Sequence, residues 1–124
     1  MTPESPPSER LVWMFLPPVV WALHFLACYI TAAVWCAKAV ALHGPLGDAR
    51  IAILVYTVGA LVLLGLLAAR AWRRYHDTTA LDELHTTARD RRRFLGFMGL
   101  LLSALSAAAV VLVAQPTLHF TTCR

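Results

Sequence analysis

The side chains best able to do chemistry lie in the first apolar run of the chain, Leu11 to Val40. At 100° per residue, Pro17, Trp21, His24, Cys28, Thr31 and Trp35 fall on one narrow helical face, with Lys38 at its edge. Val, Ala, Leu, Ile and Phe fill the other sides. An imidazole at bilayer depth can ligate a haem iron, hydrogen-bond a quinone or relay protons. It can equally be a neutral ring hydrogen-bonded to a partner helix, with Trp21 and Trp35 packed beside it. No second histidine stands at matching depth for a bis-His haem, because His43, His76, His85 and His119 all fall in connections or near the end. The expectation is therefore a partner interface built from Trp21, His24, Cys28, Thr31 and Trp35.

A second group would gather beyond the membrane: His43, His119 and Cys123, with Cys36 near the end of the first apolar run. Thiolate and imidazole suit a soft metal such as Cu(I). A Cys36–Cys123 disulfide in an oxidising compartment is another reading, and unpaired cysteines a third. No CxxC or zinc spacing occurs. Gly-rich phosphate loops, nucleophile elbows, HExxH and paired carboxylates within an apolar run are absent as well, so no enzyme signature stands out.

Composition sets the elements that must carry these groups. The 124 residues are 59% hydrophobic and 15% charged, with mean hydropathy +0.63. A soluble fold of this size cannot hide so much apolar surface. The sequence predicts an all-α integral membrane protein of three transmembrane helices, over about 17–42, 50–73 and 93–114, forming one domain from 1 to 124. Pro3, Pro6 and Pro7 argue against a helix in residues 1–10, Pro17-Pro18 makes a kink or a helix start, and Gln115-Pro116 is expected to stop the third span. The first run is far longer than the apolar core of a signal peptide and is expected to be retained, although Ala37-Lys38-Ala39 mimics a cleavage site.

Between the second and third spans lies the only extended hydrophilic segment. Thr79 with Asp82 resembles a capping box, and Leu81, Leu84 and Ala88 recur at helical spacing, which predicts a short amphipathic helix. Arg70, Arg73, Arg74, Arg89, Arg91, Arg92 and Arg93 surround it, seven of the eleven basic residues. That clustering, despite a pI of 9.4, is a topology signal rather than a nucleic-acid footprint. It places this connection in the cytoplasm of a bacterial inner membrane, the N-terminus inside and the C-terminus in the periplasm, and the same arginines can meet lipid headgroups. Gly99-x-x-x-Ser103-x-x-x-Ala107 forms a small-residue ridge, with Gly65-x-x-x-Ala69 as a weaker copy. Gly99 and Ser103 join the expected partner interface.

Leu16-Pro17-Pro18 followed by Val20-Trp21-Ala22-Leu23-His24-Phe25 and Tyr29 resembles the start of small three-span proteins encoded beside bacterial caa3-like cytochrome c oxidases. Arg91-Arg92-Arg93-Phe94-Leu95-Gly96 and a C-terminal cysteine after a proline are similar to them too. The resemblance implies a non-catalytic accessory subunit, packed on core subunits that carry haem and copper, with no cofactor in this chain. Its alternative is a membrane assembly factor handling copper or haem for the oxidase. Cys28 and His119 match no pattern of that family.

Overall fold

The computed structural model describes the backbone of residues 7–42, 47–77 and 86–119, and the side chains of 11–38, 47–76 and 90–119 within them. All three segments are helical: α1 (Pro7–Leu42), α2 (Gly47–Asp77) and α3 (Thr86–His119). Each contains a span long and apolar enough to cross a bilayer: Leu11–Lys38, Gly47–His76 and Asp90–His119. The chain is thus a three-helix membrane protein without strands among its described residues.

The helices run longer than their apolar patterns predict, and proline explains part of the difference. α1 begins at Pro7, where the first turn has no use for the missing N–H, so the expected non-helical lead-in ends before that residue. Pro17 and Pro18 lie inside α1 and leave it one helix. Pro17 is fully buried, so its ring packs against neighbours where an exposed proline would only remove a donor.

Pro116 likewise does not stop α3, which continues to His119. Two sets of donors hold its last turn. Thr117 Oγ1 donates to the Ala114 carbonyl at 2.6 Å. From the first turn of α2, Arg50 Nε and Nη2 each donate, at 3.0 Å, to the carbonyls of Thr117 and Leu118. A guanidinium on terminal carbonyls satisfies orphan acceptors and meets the negative end of the helix dipole.

The contacts define an up-down-up bundle. Arg50 joins the start of α2 to the end of α3. At the opposite end the Arg70 guanidinium sits 4.3 Å over the Trp13 ring, and Arg93 Nη2 donates to Tyr75 Oη at 3.0 Å. Between these ends the core is small, with Ala60, Leu64 and Val110 flanked by Val20, Leu61, Leu67 and Ala107. Gly96 lets α3 approach α2 closely: a Cβ there would stand 3.4 Å from Tyr75 Cβ and 3.5 Å from the Ala71 carbonyl. At Gly99 it would meet Ala71 Cβ at 3.4 Å. Residues 43–46 and 78–85, with most of the expected amphipathic helix, lie outside the described residues. From Thr86 onward that stretch is continuous with α3.

Candidate functional site

The polar face of α1 turns into the bundle. His24 is only 4% exposed, and its Nε2 lies 3.1 Å from Thr57 Oγ1 on α2. Thr57 Oγ1 already donates to the carbonyl of Ile53 at 2.8 Å. A hydroxyl has one proton, so Thr57 must accept from the imidazole, and Nε2 carries the ring's N–H. Cys28 Sγ, one helical turn from His24, stands 3.5 Å from the same nitrogen as a weak second acceptor. Nδ1 is left as a buried lone pair without a partner. The node is thus a hydrogen-bonded chain, imidazole to hydroxyl to backbone carbonyl, that fixes α1 on α2.

This arrangement decides where the expected interface residues go. Pro17, His24 and Cys28 are buried by the chain's own helices, and Thr31 and Trp35 are half-buried. Trp35 Nε1 is also buried without a partner. Trp21 alone of the stripe faces outward, at 38% exposure. On α3, Ser103 is 2% exposed and donates to the Gly99 carbonyl at 2.8 Å, while Gly99 packs on Ala71. The His24, Cys28 and Ser103 side chains therefore meet other helices of the same chain, and a second protein could reach them only by displacing those helices. The weaker ridge behaves differently: Gly65 and Ala69 are both exposed.

What α1 offers outward is an aromatic ladder. Trp21, Phe25 and Tyr29 follow one another at four-residue spacing, with ring centroids 6.3 Å and 6.4 Å apart. They are 38%, 48% and 64% exposed. The expected interface takes in Trp21 but not Phe25 or Tyr29, which enter only through the family resemblance. The i, i+4, i+8 recurrence of aromatics was the signal that could have found the ladder.

The remaining candidates divide by position. Cys28 is a free thiol, whereas Cys36 is disulfide-bonded; Cys123 lies outside the described residues. His43 lies outside them too, so the soft-metal grouping with His119 and Cys123 cannot be assembled from described residues. Among those residues no group of three or more His, Cys, Asp or Glu side chains could hold a metal ion. At the other end Arg70, Arg73, Arg74, Arg91, Arg92 and Arg93 are all exposed, with Trp72, Tyr75 and His76 among them. Compared with known protein families, curated proteins and solved structures, the chain matches none.

Proposed function

We propose that this chain is a non-catalytic accessory subunit of a bacterial inner-membrane respiratory complex, a haem–copper terminal oxidase before others. It packs against core helices that carry the cofactors and holds none itself. The oxidase assignment rests on the resemblance of the Leu16–Tyr29 and Arg91–Gly96 segments. The observation that carries the interface role is the Trp21–Phe25–Tyr29 ladder. Large aromatic side chains, two with polar tips, follow one another along an outward face at membrane depth, while His24 behind them is bonded to Thr57 inside the bundle. Indole N–H and phenol O–H groups at that depth gain from a protein acceptor that lipid tails do not supply.

Two independent features support a cytoplasmic N-terminus and a periplasmic C-terminus. Seven of the eleven basic residues cluster at the α2–α3 end, which the positive-inside rule assigns to the cytoplasm together with the N-terminus. The disulfide at Cys36 belongs to the opposite end of α1, and disulfides persist in oxidising compartments such as the periplasm.

Purification of the full chain in mild detergent, with mass spectrometry of whatever accompanies it, tests the proposal. A fixed stoichiometry with oxidase core subunits is expected, reduced by Trp21→Ala with Tyr29→Ala while the haem spectrum of the assembled complex stays unchanged. Recovery of the chain only with itself, or a partner indifferent to both substitutions, overturns it.

A further inference from the structure

We propose that α2 carries a seat for an anionic phospholipid, its phosphate held by Arg70 and Arg73 beside Trp13 and an acyl chain lying below them along the outward face of the helix. This rests on the membrane-spanning reading and not on the oxidase assignment.

Arg70 and Arg73 stand three residues apart on one helix, the spacing at which side chains of successive turns are neighbours, about 60° from each other around the axis. Both are exposed. The Arg70 guanidinium carbon lies 4.3 Å from the centre of the Trp13 ring on α1, a contact that fixes its place against the bundle. A cation over a ring face spends charge rather than hydrogen bonds, so its five N–H donors remain for a ligand. Elsewhere arginine donors are committed: those of Arg50 to the carbonyls of Thr117 and Leu118, those of Arg93 to Tyr75 Oη. Among the described residues neither Arg70 nor Arg73 has a hydrogen-bond or carboxylate partner. The nearest acid along α2 is Asp77, one turn beyond Arg73 and two beyond Arg70, so net positive charge remains with Arg74 counted beside them. Two guanidinium forks on neighbouring turns match the oxygens of a phosphodiester.

A lipid fits this place better than a free anion because of what lies beneath. Trp13 is 40% exposed at the level of the guanidinium, an indole of the kind that marks a headgroup layer. Descending α2 from Arg70 come Leu66, Leu63, Val62, Gly59 and Val55, all within about 80° of it around the axis. The four apolar side chains are 64%, 46%, 58% and 62% exposed in that order, so α1 and α3 leave this strip open. A Cβ at Gly59 would meet nothing within 4 Å. That glycine, about three turns below Arg70, leaves a notch among Val55, Val62 and Leu63 that an acyl chain fills. Paired positive charge above an open apolar strip is complementary to a phosphate joined to hydrocarbon.

The full chain is reconstituted in phosphatidylcholine vesicles carrying a minor fraction of phosphatidylglycerol and extracted in mild detergent, and the retained lipid is quantified. Phosphatidylglycerol should be enriched over its share in the vesicle. Arg70→Gln and Arg73→Gln should each cut that enrichment about fivefold, the equivalent of ~1 kcal/mol per basic residue near the surface. Arg91→Gln, which removes an exposed arginine at the same end but on α3, should leave it unchanged. Arg73→Gln disturbs no contact among the described residues, so it tests the seat even if Arg70→Gln, which also loses the Trp13 contact, fails to fold. The proposal falls if Arg73→Gln retains full enrichment with unchanged helicity. It falls equally if Arg91→Gln loses as much, since the whole basic end would then be acting as diffuse charge. Excess glycerol phosphate, a headgroup without chains, should not strip the lipid; if it does, the site recognises a free anion and the acyl track is refuted.

Discussion

Replacing Thr57 by valine should harm this protein more than replacing His24 by leucine, although His24 is the larger and more polar side chain. In the native node Nε2–H donates to Thr57 Oγ1 at 3.1 Å, and Nδ1 has no partner. Thr57→Val is nearly isosteric and removes the only strong acceptor of that N–H. The imidazole, 4% exposed, then has both nitrogens short of good partners, with only the Cys28 sulfur at 3.5 Å. A buried polar group stripped of its partner costs about 1–3 kcal/mol. His24→Leu instead removes both ring nitrogens together. Thr57 keeps its bond to the Ile53 carbonyl, and an apolar side chain of similar reach fills the space. Its net cost should be under about 1 kcal/mol, because an interhelical hydrogen bond in a membrane averages only ~0.6 kcal/mol. In the double variant the valine has no stranded donor beside it, so the loss should match that of His24→Leu alone. Equilibrium unfolding in mixed micelles, followed by helical circular dichroism and tryptophan fluorescence, measures all four corners of the cycle. Additive losses, or a His24→Leu variant weaker than Thr57→Val, would refute the tautomer and the self-contained node.

Three other perturbations probe the remaining joints. Gly96→Leu should push α3 off α2 at Tyr75 and Ala71 and destabilise the bundle by about 1–3 kcal/mol, read by the same unfolding assay; Gly96→Ala, whose methyl would stand 3.4 Å from Tyr75 Cβ, should be tolerated. Arg50→Gln should free the last turn of α3, seen as faster amide hydrogen exchange at 117–119 with the span itself unchanged. Under denaturing, non-reducing conditions maleimide should label Cys28 and leave Cys36 unlabelled until reductant is added; in the folded chain Cys28 should resist it.

The architecture was readable in the sequence because bilayer-length apolar runs admit few other folds, and all three helices stand where those runs lie. Their ends were not, since proline is a poor stop signal where other groups replace its hydrogen bonds. The donors that carry α3 past Pro116 come from Thr117 and from Arg50, 66 positions upstream of that proline, and such a long-range cap leaves no local pattern. The His24 seam shows a different limit. Helical periodicity identified a face too polar for lipid, and His24 and Cys28 are indeed hidden. Periodicity is the same whether the neighbour is another chain or α2, and only Thr57, an aliphatic hydroxyl beside Tyr56 in an otherwise apolar run, marks the residue that His24 meets.

The inward turn of that seam has a consequence for how the chain would associate with anything else. Lipid tails are as apolar as leucine, so helices in a bilayer gain little from mere burial and rely on close packing and polar contacts. Here the close approach at Gly96 and Gly99 and the polar contact at His24 and Thr57 are both taken up internally. Only 17–22% of each span's most apolar window is buried inside the chain, so most helical surface remains for lipid or a neighbour. What that surface retains for protein recognition is shape and aromatic edge, in the Trp21–Phe25–Tyr29 ladder, with the exposed Gly65 and Ala69 on α2. An interface of that kind depends on contact area more than on any single bond. Single truncations along the ladder should therefore weaken association gradually, and only the Trp21→Ala, Tyr29→Ala pair should release the partner in detergent. If Phe25→Ala alone abolished co-purification, the ladder would be acting as one anchor in a pocket rather than as a packed face.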